Sequence, residues 1–267
     1  QTAYINSLNS VQISALSLNQ IKALKTEQIT NLSSSQIASL SSSKLAGMST
    51  AQINVLKSTQ IKAITTNQLV ALTTDQIAAI STASISSLGS TQINVMSLAQ
   101  IKALTSSQIG NFSAIQIASL TTADIGILST AQIGGMTSTQ LLALTTAQIP
   151  YLTTTQVTAL STAYISSLSA TQLTAMSVAQ IKVLTTSQTA NLSATQIAAL
   201  PTAVITGLST AQLNILSQSQ LQAITTAQLS AISSSNLLSL STSALSKLTT
   251  AQIVALPTTV ISGLVGS

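Results

Sequence analysis

TTAQIVAL, residues 249–256, holds everything that the rest of the chain repeats: a threonine pair, Gln252, the aliphatic Ile253 and Leu256, and small residues between them. Numbering outward from it by remainder on division by eight, the register never slips. Every eighth residue from Leu8 to Leu264 is Leu, Ile, Met or, once, Phe112, which makes 33 octads with Val265, Gly266 and Ser267 left over. The fifth slot is Ile, Leu or Val in 32 of the 33, with Thr189 the exception. The fourth slot is Gln in 24 and the first is Ser or Thr in 26.

No continuous helix or strand accommodates this pattern. Eight residues at about 100° each turn an apolar stripe by about 80° per octad, so it would wind around a long helix and face nothing. In a strand, slots five and eight have opposite parity and would point to opposite faces. Each octad must therefore contain its own turn. Ser or Thr followed three residues later by Gln is a capping box, in which the hydroxyl accepts from the third helical amide and the Gln reaches back to the cap's own amide. Slots five and eight then share one helical face, and the preceding Leu is placed to meet the next Ile as a hydrophobic staple. The expectation is an all-α solenoid of capped helices of about two turns, one per eight-residue repeat. Helices this short are marginal in water, so they must stack, as in solenoids whose repeats bury one another's apolar faces. Residues 1–267 read as a single continuous octapeptide-repeat solenoid, a fragment or processed part of a longer chain.

A second period runs through the exceptions. Slot four departs from Gln at Tyr4, Lys44, Ser84, Asp124, Tyr164, Val204 and Ala244, each forty residues from the last, and elsewhere only at Asn236 and Val260. Lys22, Lys62, Lys102 and Lys182 share a register of forty, as do Met96, Met136 and Met176. The spacing predicts five octads per superhelical turn, with residues forty apart lying above one another; a forty-residue unit of gene duplication is the alternative. The Lys22 and Tyr4 columns are the two surface seams this geometry offers for contact. Pro201 and Pro257 replace capping residues, where a missing N–H costs little. Pro150 falls at slot six, inside a helix, and is expected to distort it.

Composition excludes most chemistry. The chain is 45% hydrophobic, 1% aromatic and 4% charged, against roughly 25% charged residues in an ordinary soluble domain. It has no His or Cys, and its only acids are Glu27, Asp75 and Asp124. Three isolated acids make no metal site and no acid–base pair. Serines or threonines lie near Lys25, Lys57 and Lys247, but nothing in so sparsely charged and repeated a setting would activate a lysine. No catalytic, cofactor-binding or metal residue is expected, and the chain reads as a non-enzyme. The net charge of +5 comes from scarce acids without a lysine cluster, so no nucleic-acid partner is expected. No apolar run approaches the ~18 residues needed to span a bilayer. Asn31, Asn111 and Asn191 each begin an Asn-x-Ser sequon, but any Asn at slot seven does so because Leu or Phe and then Ser follow it.

LTTAQI at 144–149 and STAQL at 209–213 resemble the Thr-Ala-Gln-Ile-Ala-Ala-Leu arrays of very large bacterial surface or secreted proteins, which carry adhesion or haem-utilisation labels. The resemblance implies an extracellular, adhesin- or matrix-like repeat region and brings no catalytic residue with it. The function expected is a structural repeat region forming a filament, stalk or matrix fibre by self-association. The alternative is a binding module, ice-active through threonines or bound to cell-surface polysaccharide through the lysine column.

Overall fold

The computed structural model describes residue 5 and residues 7–265 of the chain, in two compact units, Gln1–Ala143 and Leu144–Ser267. Among the described residues there are 31 α-helices, one 3-10 helix and no strand. The α-helices are four to six residues long apart from Thr258–Val265, which is shorter than two turns. The reason lies at the corners. Slot eight and the next slot one both leave helical conformation, as in Leu40 (φ −64°, ψ 142°) and Ser41 (φ −66°, ψ 153°). Two extended residues per octad form each corner, and among the described residues none has positive φ. The chain thus turns every eight residues without needing glycine.

The capping box accounts for where each helix starts. In Thr65–Leu72, Gln68 N–H donates to Thr65 Oγ1 at 3.2 Å and Thr65 N–H donates to Gln68 Oε1 at 2.8 Å. Each helix closes with a tighter bond from slot eight to slot five, such as Leu72 N to Leu69 O at 3.1 Å. Where Lys25 and Lys57 occupy slot one, no side chain caps the helix, although Gln28 and Gln60 still accept from their amides. Pro150 has the expected effect, because it lacks the N–H a helix would use at slot six. The octad it occupies has no α-helix, only a turn and the 3-10 segment Ile149–Tyr151.

Within each unit the slot-five side chains lie at the centre. Ile37, Ile61 and Ile101 in the first unit and Ile181, Ile197 and Ile205 in the second are all fully buried, with slot-eight leucines beside them. Each helix packs on the third one along: Ser42–Ala46 on Thr66–Ala71, and Ala194–Ala199 on Gln218–Ala223. Polar side chains on the outer side join the same neighbours across 25 residues, as in Asn54 Nδ2 to Ala79 O (2.9 Å) and Gln222 Nε2 to Lys247 O (3.1 Å). On the inner side the slot-four amides reach back four octads. Gln52 Nε2 donates to Ile21 O at 3.0 Å and Leu24 O at 2.8 Å, which are 31 and 28 residues earlier. Gln188 does the same to Val157 O (2.9 Å) and Leu160 O (2.8 Å).

One turn therefore holds between three and four octads, and the expectation of five is corrected. Two aliphatics per octad must meet across the axis at the density of a protein interior, and a ring of five such helices would leave a void they cannot fill. Forty residues overshoot a turn, so positions forty apart do not lie above one another.

Candidate functional site

Slot four is the position where local structure and coil stacking share one side chain. Its Oε1 takes the cap amide of its own octad, and its Nε2 donates to the carbonyls at the C-terminal end of a helix in the coil below. This adds a second bond to the slot-five oxygen that already accepts from slot eight and gives the slot-eight oxygen a partner. Gln60 shows both: Oε1 accepts from Lys57 N at 2.7 Å, and Nε2 donates to Ile29 O at 2.9 Å and Leu32 O at 2.8 Å. Gln180 in the second unit repeats the arrangement with Ser177 N (2.7 Å), Ile149 O (2.8 Å) and Leu152 O (2.7 Å). Capping alone is satisfied by Glu as well as Gln, so sequence reasoning that stopped at the cap missed the second role. The signal was present: no octad has Glu at slot four, because a carboxylate has no N–H for the coil below.

An inward-facing slot four changes the meaning of its exceptions. Ser84, Asp124, Tyr164, Val204 and Ala244 are all buried, and Lys44 is half-buried. They are replacements for an interior bridge, not a surface seam, which corrects the contact column inferred from sequence; Tyr4 lies outside the described residues. Each replacement solves the missing amide differently. Lys44 Nζ donates to Ser14 O, and Ser84 Oγ donates to Leu56 O at 2.9 Å, the same 28-residue step as a Gln. Ala244 contributes nothing, but Lys247 three residues on donates its Nζ to Leu216 O at 3.3 Å. Asp124 Oδ2 accepts from Thr121 N at 2.8 Å and from Thr121 Oγ1 at 2.7 Å, which completes the cap only. The Tyr164 hydroxyl is buried with no hydrogen-bond partner, and burial holds its pKa above the ordinary phenol range.

The slot-six lysines, Lys22, Lys62, Lys102 and Lys182, are exposed. They do not form a ladder, since forty residues is not a turn. What the coil brings together instead is the three forty-residue columns with one another. Leu98–Ala103, which carries Lys102, packs on Thr122–Ile127, which carries Asp124, and Met96 lies 28 residues before Asp124. Val178–Lys182 packs on Thr202–Ile205 with Val204, and Met176 again lies 28 residues earlier. Gly207 sits close enough to Lys182 that a β-carbon there would stand 3.2 Å from the lysine Cγ. Three columns that look independent in sequence are one recurring arrangement in the stack.

Among the described residues, no three His, Cys, Asp or Glu side chains come together, and no helix is long and apolar enough to cross a membrane. The ALTTAQ repeat family matches this chain at residues 29–66, 45–82, 77–114 and 117–154. The matches begin at Ile29, Leu45, Ile77 and Ile117. All four starts are slot-five residues, so the matches differ by whole octads. No curated protein matches the sequence. The chain is a tandem-repeat protein built of short helices, with the octad as its unit.

Proposed function

We propose that this chain is a structural repeat region of a secreted or cell-surface protein, serving as a stalk, filament or matrix element and carrying no catalytic activity. The observation behind this reading is how the side chains are used. Slots five and eight make the core, slot one caps, and slot four both caps and binds the coil below. The chain's most frequent polar functions are thereby committed to architecture, which is the behaviour of a solenoid whose repeats support only their neighbours. The uncharged outer positions favour association between copies over capture of a charged partner, and the bacterial surface arrays that this octad resembles favour an extracellular setting.

Electron microscopy of the purified 267-residue chain is expected to show elongated particles, single or bundled; compact globular particles would overturn the structural role. Cell fractionation of the source organism is expected to find the protein outside the cytosol, and purely cytosolic protein would overturn the location. Changing Lys22, Lys62 and Lys102 together to Gln is expected to leave polysaccharide binding, if any is measured, unaltered. Loss of such binding would favour the adhesive module instead.

A further inference from the structure

Helix Thr74–Ala79 in the first unit is closed by Gln108, whose Nε2 donates to Ile77 O at 2.9 Å and Ile80 O at 2.7 Å. Two octads further on, the residue in the corresponding position is Asp124. By the same 31- and 28-residue steps its partners would be the carbonyls of Ile93 and Met96, at the end of helix Ser90–Asn94. A carboxylate offers them no N–H, and Asp124 Oδ2 is already taken by Thr121. In the second unit Val204 stands in the same relation to Leu173 and Met176, at the end of helix Ala170–Thr174, and buried Val260 to Leu229 and Ile232, at the end of helix Thr226–Ala231. Among the described residues, no side chain donates to any of these six carbonyls. Lys44, Ser84 and Lys247 differ, because they bring donors of their own, whereas the Tyr164 hydroxyl donates to nothing.

Buried hydrogen bonds between coils are strengthened by their low-dielectric surroundings, and in a solenoid each coil is held only by its neighbours. A layer without its amide bridge keeps its apolar contacts but loses the directional bonds. We propose that the layers under Asp124, Val204 and Val260 are yield points, where the stack opens ahead of the layers closed by Gln. Asp124 and Val204 are eighty residues apart and Val260 follows 56 residues later, and each break lets a short segment give way while the coils on either side stay wound. For a chain that carries load, this localises opening instead of spreading it. The inference rests on the coil geometry and stands whatever the protein's location.

Hydrogen exchange read by NMR or fragment mass spectrometry on the full chain tests it. The amides of Ile93 and Met96 are expected to exchange about tenfold faster than those of Ile77 and Ile80, as loss of a buried hydrogen bond predicts. Leu173 and Met176 should show the same excess over Val157 and Leu160. Asp124→Gln and Val204→Gln install the prevailing residue and are expected to slow exchange at their own layers only. Conversely, Gln108→Leu is expected to bring Ile77 and Ile80 to the rate of Ile93 and Met96. Equal rates across all these helices, or rates that none of the three substitutions moves, would overturn the proposal. So would a single cooperative opening in which every amide exchanges together.

Discussion

Two octads of the second unit, packed against each other, differ in almost every polar position. Ser177–Leu184 has the full set: Ser177 Oγ accepts from Gln180 N at 3.2 Å, and Gln180 bonds both its own cap and the coil below. Pro201–Leu208 has neither a side-chain cap nor a bridge, since Pro201 and Val204 stand in those slots. Its helix is four residues, Thr202–Ile205, yet Ile205 and Leu208 are as deeply buried as Ile181 and Leu184. The apolar pair alone is enough to seat an octad. The Ser–Gln pair governs how that octad is tied to the coil below.

The comparison is broken most directly through the core. Ile181→Ala and Ile205→Ala are each expected to cost about 3 kcal/mol, as for other buried aliphatics cut to Ala, with similar values in urea unfolding despite the polar differences. A clearly smaller loss at Ile205 would mean that an octad without its polar pair is less tightly packed. Gln180 comes next. Gln180→Leu removes two inter-coil bonds and one cap and is expected to cost about 2–3 kcal/mol. Gln180→Glu keeps the cap acceptor yet is expected to cost at least as much, because a carboxylate faces the carbonyls of Ile149 and Leu152. If Glu were milder than Leu in the same titration, capping would be the main role of the residue.

Capping alone has a smaller effect. Ser177→Ala should cost about 1 kcal/mol, and Pro201→Ser should recover a gain of similar size, read as opposite shifts in Tm. Tyr164 is a third kind of slot-four residue, buried without a partner for its hydroxyl. Its pKa is raised by burial, so the folded unit holds the phenol proton where the unfolded chain releases it. Stability is then fully present below the ordinary value of 10.0 and falls as the pH rises above it. Tyr164→Phe should abolish that decline in unfolding measured at pH 9 and 11, and a decline of equal size in the variant would assign it elsewhere. The smallest effect belongs to Lys182→Gln, expected within about 0.5 kcal/mol because the side chain is exposed.

Much of the fold is legible in the octad itself. Helix starts, the buried slots, the break at Pro150 and the lack of any continuous helix or strand follow from interactions within some eight residues, where spacing maps directly onto geometry. The site was harder to read for the opposite reason. Lys44, Ser84, Asp124 and Tyr164 differ in chemistry, and a varied column looks like a tolerant surface until the coil shows that slot four faces inward. The Gln bridge was half legible, because Oε1 serves a neighbour three residues away while Nε2 serves one 28 to 31 residues away.

The forty-residue period separates the two sources of information. By itself the amino-acid sequence determined the eight-residue repeat with one short helix in it, its cap and its two core side chains, because each depends on short-range torsions and on which residues are apolar. Only the tertiary structure decided how many octads complete a turn, since that number depends on the angle of each two-residue corner and on how far a glutamine amide can reach into the coil below. Three to four octads satisfy both and close the core. Forty residues then ceases to be a vertical repeat, and the lysine, methionine and slot-four columns meet one another across the coil instead of each running along it.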